Sequence, residues 1–195
     1  MPTSKTALVA GSRHPSTGAA STALPGDDGE SPVSLWRIAT ETRAYKATDL
    51  SGAGAALAPG RWNHDRQPVV YCAQTIALAV LETAAHLPDA GLPLNRFVVQ
   101  ITVPAPIWAE RVILQPQDMD PACAAIPAGQ ASADIGANWL MSLSSALLLV
   151  PSVIVPEEAV VLINPAHPAA DRITATALRV FDYGRLFRRA GVGTG

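Results

Sequence analysis

Pro68-Val69-Val70-Tyr71-Cys72-Ala73-Gln74-Thr75-Ile76-Ala77-Leu78-Ala79-Val80-Leu81-Glu82-Thr83-Ala84-Ala85-His86 decides the architecture. Val69-Val70-Tyr71-Cys72 is a short β-branched and aromatic run, introduced by Pro68, which is the pattern of a buried strand. From Thr75 the period changes. Ile76, Ala79, Val80 and Thr83 recur at helical spacing, as do Leu78, Leu81 and Ala85, so a helix is predicted over 75–86, with Thr75 as N-cap and Pro88 as its stop. One carboxylate, Glu82, stands in the middle of this apolar helix. A buried carboxylate is costly unless it is paired or functional, so Glu82 is either a catalytic group or a residue on a narrow solvated face.

Working outward, 35–38 (Leu-Trp-Arg-Ile) reads as a short strand and 51–60 as a Gly-rich loop. Arg96-Phe-Val-Val-Gln-Ile-Thr-Val103 is a good strand. Residues 104–130 are Pro-rich and predict an irregular excursion. A second helix is predicted over 135–143. Strands are predicted over 146–150, 152–155, 159–163 and 173–182, with Leu186-Phe187 packing near the end. Strand, loop, strand, helix, strand, excursion, helix and several strands make an α+β chain, a compact single domain with a mixed or antiparallel sheet.

The chain has 195 residues, enough for one domain. Hydrophobic residues are 49 % and charged residues 15 %, which supplies a core and excludes global disorder. The net charge of -2 gives no basic excess, which disfavours nucleic-acid binding. Cys72 and Cys123 form no CxxC pair, and the four histidines, His14, His64, His86 and His167, show no ligand spacing. No metal site is expected, and the reduced cysteines fit a cytoplasmic protein. Residues 1–34 contain no aromatic residue and read as a flexible low-complexity tail, and 188–195 as a flexible C-terminus. The tail's apolar run, Ala7-Leu8-Val9-Ala10, is shorter than an export core of about 7–15 residues, and no run reaches the roughly 18–20 of a membrane span. There is no P-loop and no GxSxG elbow, and Gly52-x-Gly54 lacks the third glycine of a dinucleotide turn.

Three further polar residues could carry chemistry. Arg61 follows the Gly-rich loop and would clamp a phosphate in bidentate fashion or pin the loop on a local carboxylate. Tyr71 would stack on a planar ligand or serve as a core tyrosine with one hydrogen bond. Ser152, after Pro151, would bond a ribose or phosphate oxygen, with plain turn chemistry as the alternative.

The ordered set Leu35-Trp36-Arg37-Ile38, Asp49-Leu50-Ser51-Gly52, Gly60-Arg61-Trp62-Asn63, Pro68-Val69-Val70-Tyr71, Leu78-Ala79-Val80-Leu81-Glu82, Val150-Pro151-Ser152 and Asn164-Pro165-Ala166-His167-Pro168 resembles the RES domain, the toxin half of bacterial RES–Xre toxin–antitoxin pairs. The resemblance covers 35–187. It implies a fold similar to ADP-ribosyltransferases of the diphtheria-toxin kind, NAD+ as substrate with no bound prosthetic group, and an Xre-type antitoxin partner. Arg61, Tyr71 and Glu82 match the family's Arg, Tyr and Glu. Ser152 matches its Ser, with Ser144 and Ser145 as neighbours competing for the role, and the resemblance implies that Ser152 and Asn63 bond ribose or phosphate oxygens. The tail departs from the family pattern. Members consume NAD+ by phosphorolysis or hydrolysis, or ADP-ribosylate a protein. A non-catalytic module that binds a nucleotide or peptide is the competing reading; it leaves the carboxylate unexplained.

Overall fold

Strand β2 occupies Val70–Ala73 and helix α2 Ile76–Ala84, separated by a two-residue corner. Thr75 closes the corner: its Oγ1 accepts the Leu78 N–H at 3.1 Å, the bond that an N-cap supplies. The protein, here a computed structural model, is described over residues 31–87 and 92–186. Its other regular elements are β1 (Val33–Thr40), α1 (Ala53–Leu57), β3 (Arg96–Val103), α3 (Ala105–Ala109), β4 (Val112–Ile113), α4 (Gln130–Ser142), β5 (Leu147–Pro151), β6 (Ala159–Ile163) and β7 (Thr174–Phe181).

The seven strands form one sheet in the order β4-β5-β6-β2-β1-β3-β7. Every neighbouring pair is antiparallel except β4–β5, which is parallel, so the sheet is mixed and the chain α+β, as expected. β2 lies at the centre. Tyr71 faces Leu162 and Cys72 faces Val161 across the β2–β6 register.

Alternation sorts the side chains into two faces. Leu35, Val70, Cys72, Val99, Ile101, Leu147, Leu149, Val161 and Ile163 point one way and pack on Ile107 and Trp108 of α3. The opposite face carries two helices side by side. Near β5 and β6, Leu148, Val150, Val160 and Leu162 pack on Trp62 and on Trp139 and Leu140 of α4. Near β1 and β3, Ile38, Ala73 and Val98 pack on Leu78, Ala79 and Val80 of α2 and on Tyr183. α4 approaches so closely that a Cβ at Gly136 would lie 1.9 Å from the Trp62 carbonyl oxygen, so only glycine fits there.

Several expectations need correction. Residues 152–155 are not a strand: the Ser152 hydroxyl accepts the N–H groups of Ile154 and Val155, and this local turn replaces ladder bonds. The Gly-rich loop contains α1, and the excursion contains α3 and the edge strand β4. α3 buries Ile107 and Trp108, which anchors the Pro-rich segment. β1 begins at Val33, inside the predicted tail. Near the end it is Tyr183 that packs, at 1 % exposure, whereas Leu186 is 47 % exposed. Residues 1–30, Pro88, Phe187 and 188–195 lie outside the described residues.

Candidate active site

Glu82 sits half-buried in the last turn of α2. The Ser152 hydroxyl donates to its Oε1 at 2.6 Å. Ser152 itself is 3 % exposed, immediately beyond the end of β5. A hydroxyl has one hydrogen and two lone pairs. Here the hydrogen goes to Glu82, and the lone pairs take the Ile154 and Val155 N–H groups at 3.1 and 3.0 Å. With these three bonds the Ser152 hydroxyl ties the Glu82 carboxylate to the 152–155 turn. Glu82 Oε2 has no hydrogen-bond partner among the described residues.

The turn 152–158 is fastened to α2 a second time, where the Thr75 hydroxyl donates to Glu158 Oε2 at 3.2 Å. Thr75 and Glu82 are seven residues apart, two turns along the same helix face. Of the competing serines, Ser145 is buried between Trp139 Nε1 at 2.9 Å and the Leu147 carbonyl at 2.8 Å. Ser144 is exposed and bonds Ser142. Among the three, only Ser152 meets Glu82.

Tyr71, Asn63 and Arg61 form a second group. The Tyr71 hydroxyl donates to Asn63 Oδ1 and accepts the Trp62 N–H, both at 2.9 Å. Burial pushes the phenol well above its ordinary range, opposed by the Trp62 hydrogen bond and the nearby Arg61 charge. Tyr71 is therefore a neutral phenol at any physiological pH. A Cβ at Gly60 would lie 2.7 Å from the phenol, so glycine lets the loop cross the end of the ring.

Asn63 is 1 % exposed and fully satisfied. Its Nδ2 donates to the carbonyls of Ala55, His64 and Gln67 at 2.9, 3.0 and 3.0 Å. Its Oδ1 accepts from Gly60 N–H and the Tyr71 hydroxyl. These bonds tie the loop that carries Arg61 together around Asn63. Arg61 Nη1 donates to the carbonyls of Cys123 and Ala125 at 2.9 and 2.8 Å, so carbonyls replace the carboxylate expected of a loop-pinning arginine. Nε and Nη2 keep their hydrogens free among the described residues.

No hydrogen bond or ion pair joins the two groups among the described residues; Tyr71 packs against the cluster that holds α4, and α2, which carries Glu82, packs in a separate cluster on the same sheet face. Cys72 points to the other face, donates to the Val161 carbonyl at 3.1 Å, and is pushed by burial up to about 12, which removes it as a nucleophile. Also on that face is Arg37, read in sequence only as part of a strand. Its Nη1 donates to the Asp49 carbonyl at 2.9 Å, and burial lowers its pKa. An arginine within an apolar strand was the available signal. Tyr183 and Thr83, which bond each other beside Glu82, were missed because they lie 100 residues apart. His167 caps a 3-10 turn as a loop residue, and no group of three or more His, Cys, Asp or Glu among the described residues could hold a metal ion. No helix among the described residues is long and apolar enough to cross a membrane.

Comparison with known proteins matches this arrangement to a family. The RES domain profile matches residues 34–184. The chain is 50 % identical over 159 residues to the Prs ADP-ribosylating toxin of Sphingobium sp. (strain YBL2), covering 81 % of this chain and 99 % of that protein. It is 39 % identical over 133 residues to Toxin Res of Yersinia enterocolitica, covering 68 % and 84 %. In structure it resembles a chain of the M. tuberculosis MbcT-MbcA toxin-antitoxin complex, with a TM-score of 0.54, 17 % identity, and 76 % and 85 % coverage. The match spans Arg61, Tyr71, Glu82 and Ser152 alike, and the chain belongs to the RES domain family.

Proposed function

We propose that this chain is the toxin of a toxin–antitoxin pair and consumes NAD+ by breaking the nicotinamide–ribose bond. One observation carries the reading: Glu82 stands on an apolar helix with Oε1 held by Ser152 and Oε2 unpartnered among the described residues. The names of the relatives, an ADP-ribosylating toxin and Toxin Res, support it.

The chemistry suits these residues. Nicotinamide in NAD+ is a cationic leaving group that departs neutral, so it needs no general acid, unlike the ordinary glycoside. The site must stabilise an oxocarbenium-like ribose and hold the dinucleotide still. A preoriented carboxylate does the first, and Glu82 Oε2 would face the developing positive charge. Nε and Nη2 of Arg61, unengaged among the described residues, would take the diphosphate, and Tyr71 would stack on the nicotinamide ring. The acceptor is phosphate, water or a protein side chain.

Residues 35–187 would form the catalytic domain, with 1–34 and 188–195 as extensions, acting on cytoplasmic NAD+ with no prosthetic group. A neutralising antitoxin belongs to the same reading, supported by the complex in which the structural neighbour was crystallised. Its Xre type rests on the family resemblance. ADP-ribosylation of one host protein is a second reading, favoured by the name of the 50 % identical relative.

The test incubates purified chain with NAD+, with and without inorganic phosphate, and identifies products by liquid chromatography and mass spectrometry. ADP-ribose-1″-phosphate defines a phosphorylase and free ADP-ribose a glycohydrolase. An adduct of ADP-ribose on a lysate protein defines a transferase. No nicotinamide release in any arm overturns the reading in favour of a binding module.

A further inference from the structure

We infer that Tyr183 is a positioning residue for Glu82, acting through Thr83; the inference rests on the proposed NAD+ chemistry. α2 has nine residues, and Glu82 lies in its last turn. Beyond it the chain runs on in tight turns, with the N–H groups of Ala85, His86 and Leu87 on the carbonyls of Leu81, Thr83 and Ala84 at 3.0, 3.2 and 3.1 Å. The C-cap is Ala85 in right-handed helical geometry rather than a glycine, and no basic residue lies in the last turn.

Two side-chain contacts add to these backbone bonds. His86 Nδ1, exposed, meets the Glu82 carbonyl at 2.8 Å. The second contact is half-buried. The Tyr183 hydroxyl donates to Thr83 Oγ1 at 2.5 Å. Thr83 has its own hydroxyl hydrogen directed at the Ala79 and Val80 carbonyls, at 2.9 and 3.0 Å. Phenol, hydroxyl and helix carbonyl thus make one chain of bonds from the C-terminal segment into the turn that carries Glu82.

Tyr183 is itself immobilised. It is 1 % exposed, packs among Ile38, Leu78, Ala79 and Val98, and meets the Phe181 ring edge-on at 4.9 Å. Asp182 caps its turn by accepting the Gly184 N–H at 2.8 Å. Packing alone asks for a phenyl ring; the hydroxyl adds direction. Neighbouring residues on a helix point about 100° apart, so any rotation or fraying of this turn swings Thr83 and Glu82 together. Holding Thr83 holds the Glu82 carboxylate at its 2.6 Å bond to Ser152.

The test compares Tyr183→Phe, Thr83→Val, the double variant, and each combined with Ser152→Ala. Turnover is followed as nicotinamide release from NAD+ with phosphate and cleared bacterial lysate present, so that every acceptor class is available. Glu82→Gln serves as the blank, and circular dichroism gives the folded fraction. Tyr183→Phe is expected to lower kcat per folded molecule about 5- to 30-fold with KM for NAD+ changed less than about twofold, because sub-ångström misplacement acts on the chemical step. Removing both hydroxyls together should not restore kcat, although it removes the unpaired Thr83 acceptor. In a Ser152→Ala background Tyr183→Phe should cost less than alone, because both act on one carboxylate. Wild-type kcat with only a lowered Tm, a rise in KM alone, or full additivity with Ser152→Ala would overturn the inference. If Glu82→Gln turns over like wild type, the proposed reaction itself falls; if Glu82→Gln is silent while Tyr183→Phe matches wild type, only the positioning role does.

Discussion

The groups around Asn63 and around Glu82 are built from similar parts and use them in opposite ways. Asn63 has every donor and acceptor engaged, to five partners within the segment 55–71. Glu82 has one oxygen engaged, by Ser152, and the other unpartnered among the described residues. A closed group is a scaffold, because any ligand would have to break native bonds to enter it. An open group holds part of its bonding capacity for something else. The difference teaches that burial alone does not mark a reactive residue: Asn63 is the more deeply buried of the two.

The largest effect expected is on turnover. Glu82→Gln should keep the fold and lower kcat about 100- to 1,000-fold, the scale of losing one preoriented electrostatic group. Nicotinamide release measures it, and near-wild-type turnover would break the comparison from the open side. Asn63→Ala should destabilise the protein by about 3 kcal/mol in urea unfolding, because it leaves the Gly60 N–H, the Tyr71 hydroxyl and three carbonyls without their partner. Unchanged stability with lost NAD+ binding would invert the comparison. Ser152→Ala should cost about tenfold in kcat with little change in KM, since it frees Glu82 without touching substrate. A rise in KM alone would return Ser152 to a binding role.

Burial along β2 also predicts a pH response. It pushes the Cys72 thiol from its ordinary value of 9.0 up to about 12, partly offset by Arg37. The fold favours the protonated thiol, so its contribution to stability is complete below pH 9 and is lost as pH rises from 9 towards 12. Tyr71, raised by the same cause, adds to the loss in the same direction. Unfolding free energy measured between pH 8 and about 11 should fall, and less steeply in Cys72→Ala. A flat profile in the parent protein would contradict that burial. The smallest effect belongs to the exposed His64–Asp134 pair at 2.7 Å, where His64→Ala should change stability by less than about 0.5 kcal/mol.

Much of the fold was legible in the chain itself. The change of period after Cys72 located β2 and α2, and Thr75 announced the cap between them, because strand, helix and N-cap are local and depend on residues three or four apart. Arg96–Val103 and Ala159–Ile163 read as strands for the same reason. The turn at 152–155 did not, because its apolar residues have the composition of a strand and only the Ser152 hydroxyl decides between ladder and turn.

Residue order alone marks which polar side chains enter an apolar setting: Glu82 within its helix, Arg61 after the Gly-rich loop and Tyr71 on its strand. It also sets the succession of motifs that marks the family. Only the tertiary structure decided how their atoms are used. Ser152 reached Glu82 across 70 residues and Tyr183 reached Thr83 across 100, and Asn63 was revealed as a scaffold once its five bonds closed on one another. The physical reason is that hydrogen-bond capacity is a property of single atoms, and its allocation depends on neighbours that chain order does not record.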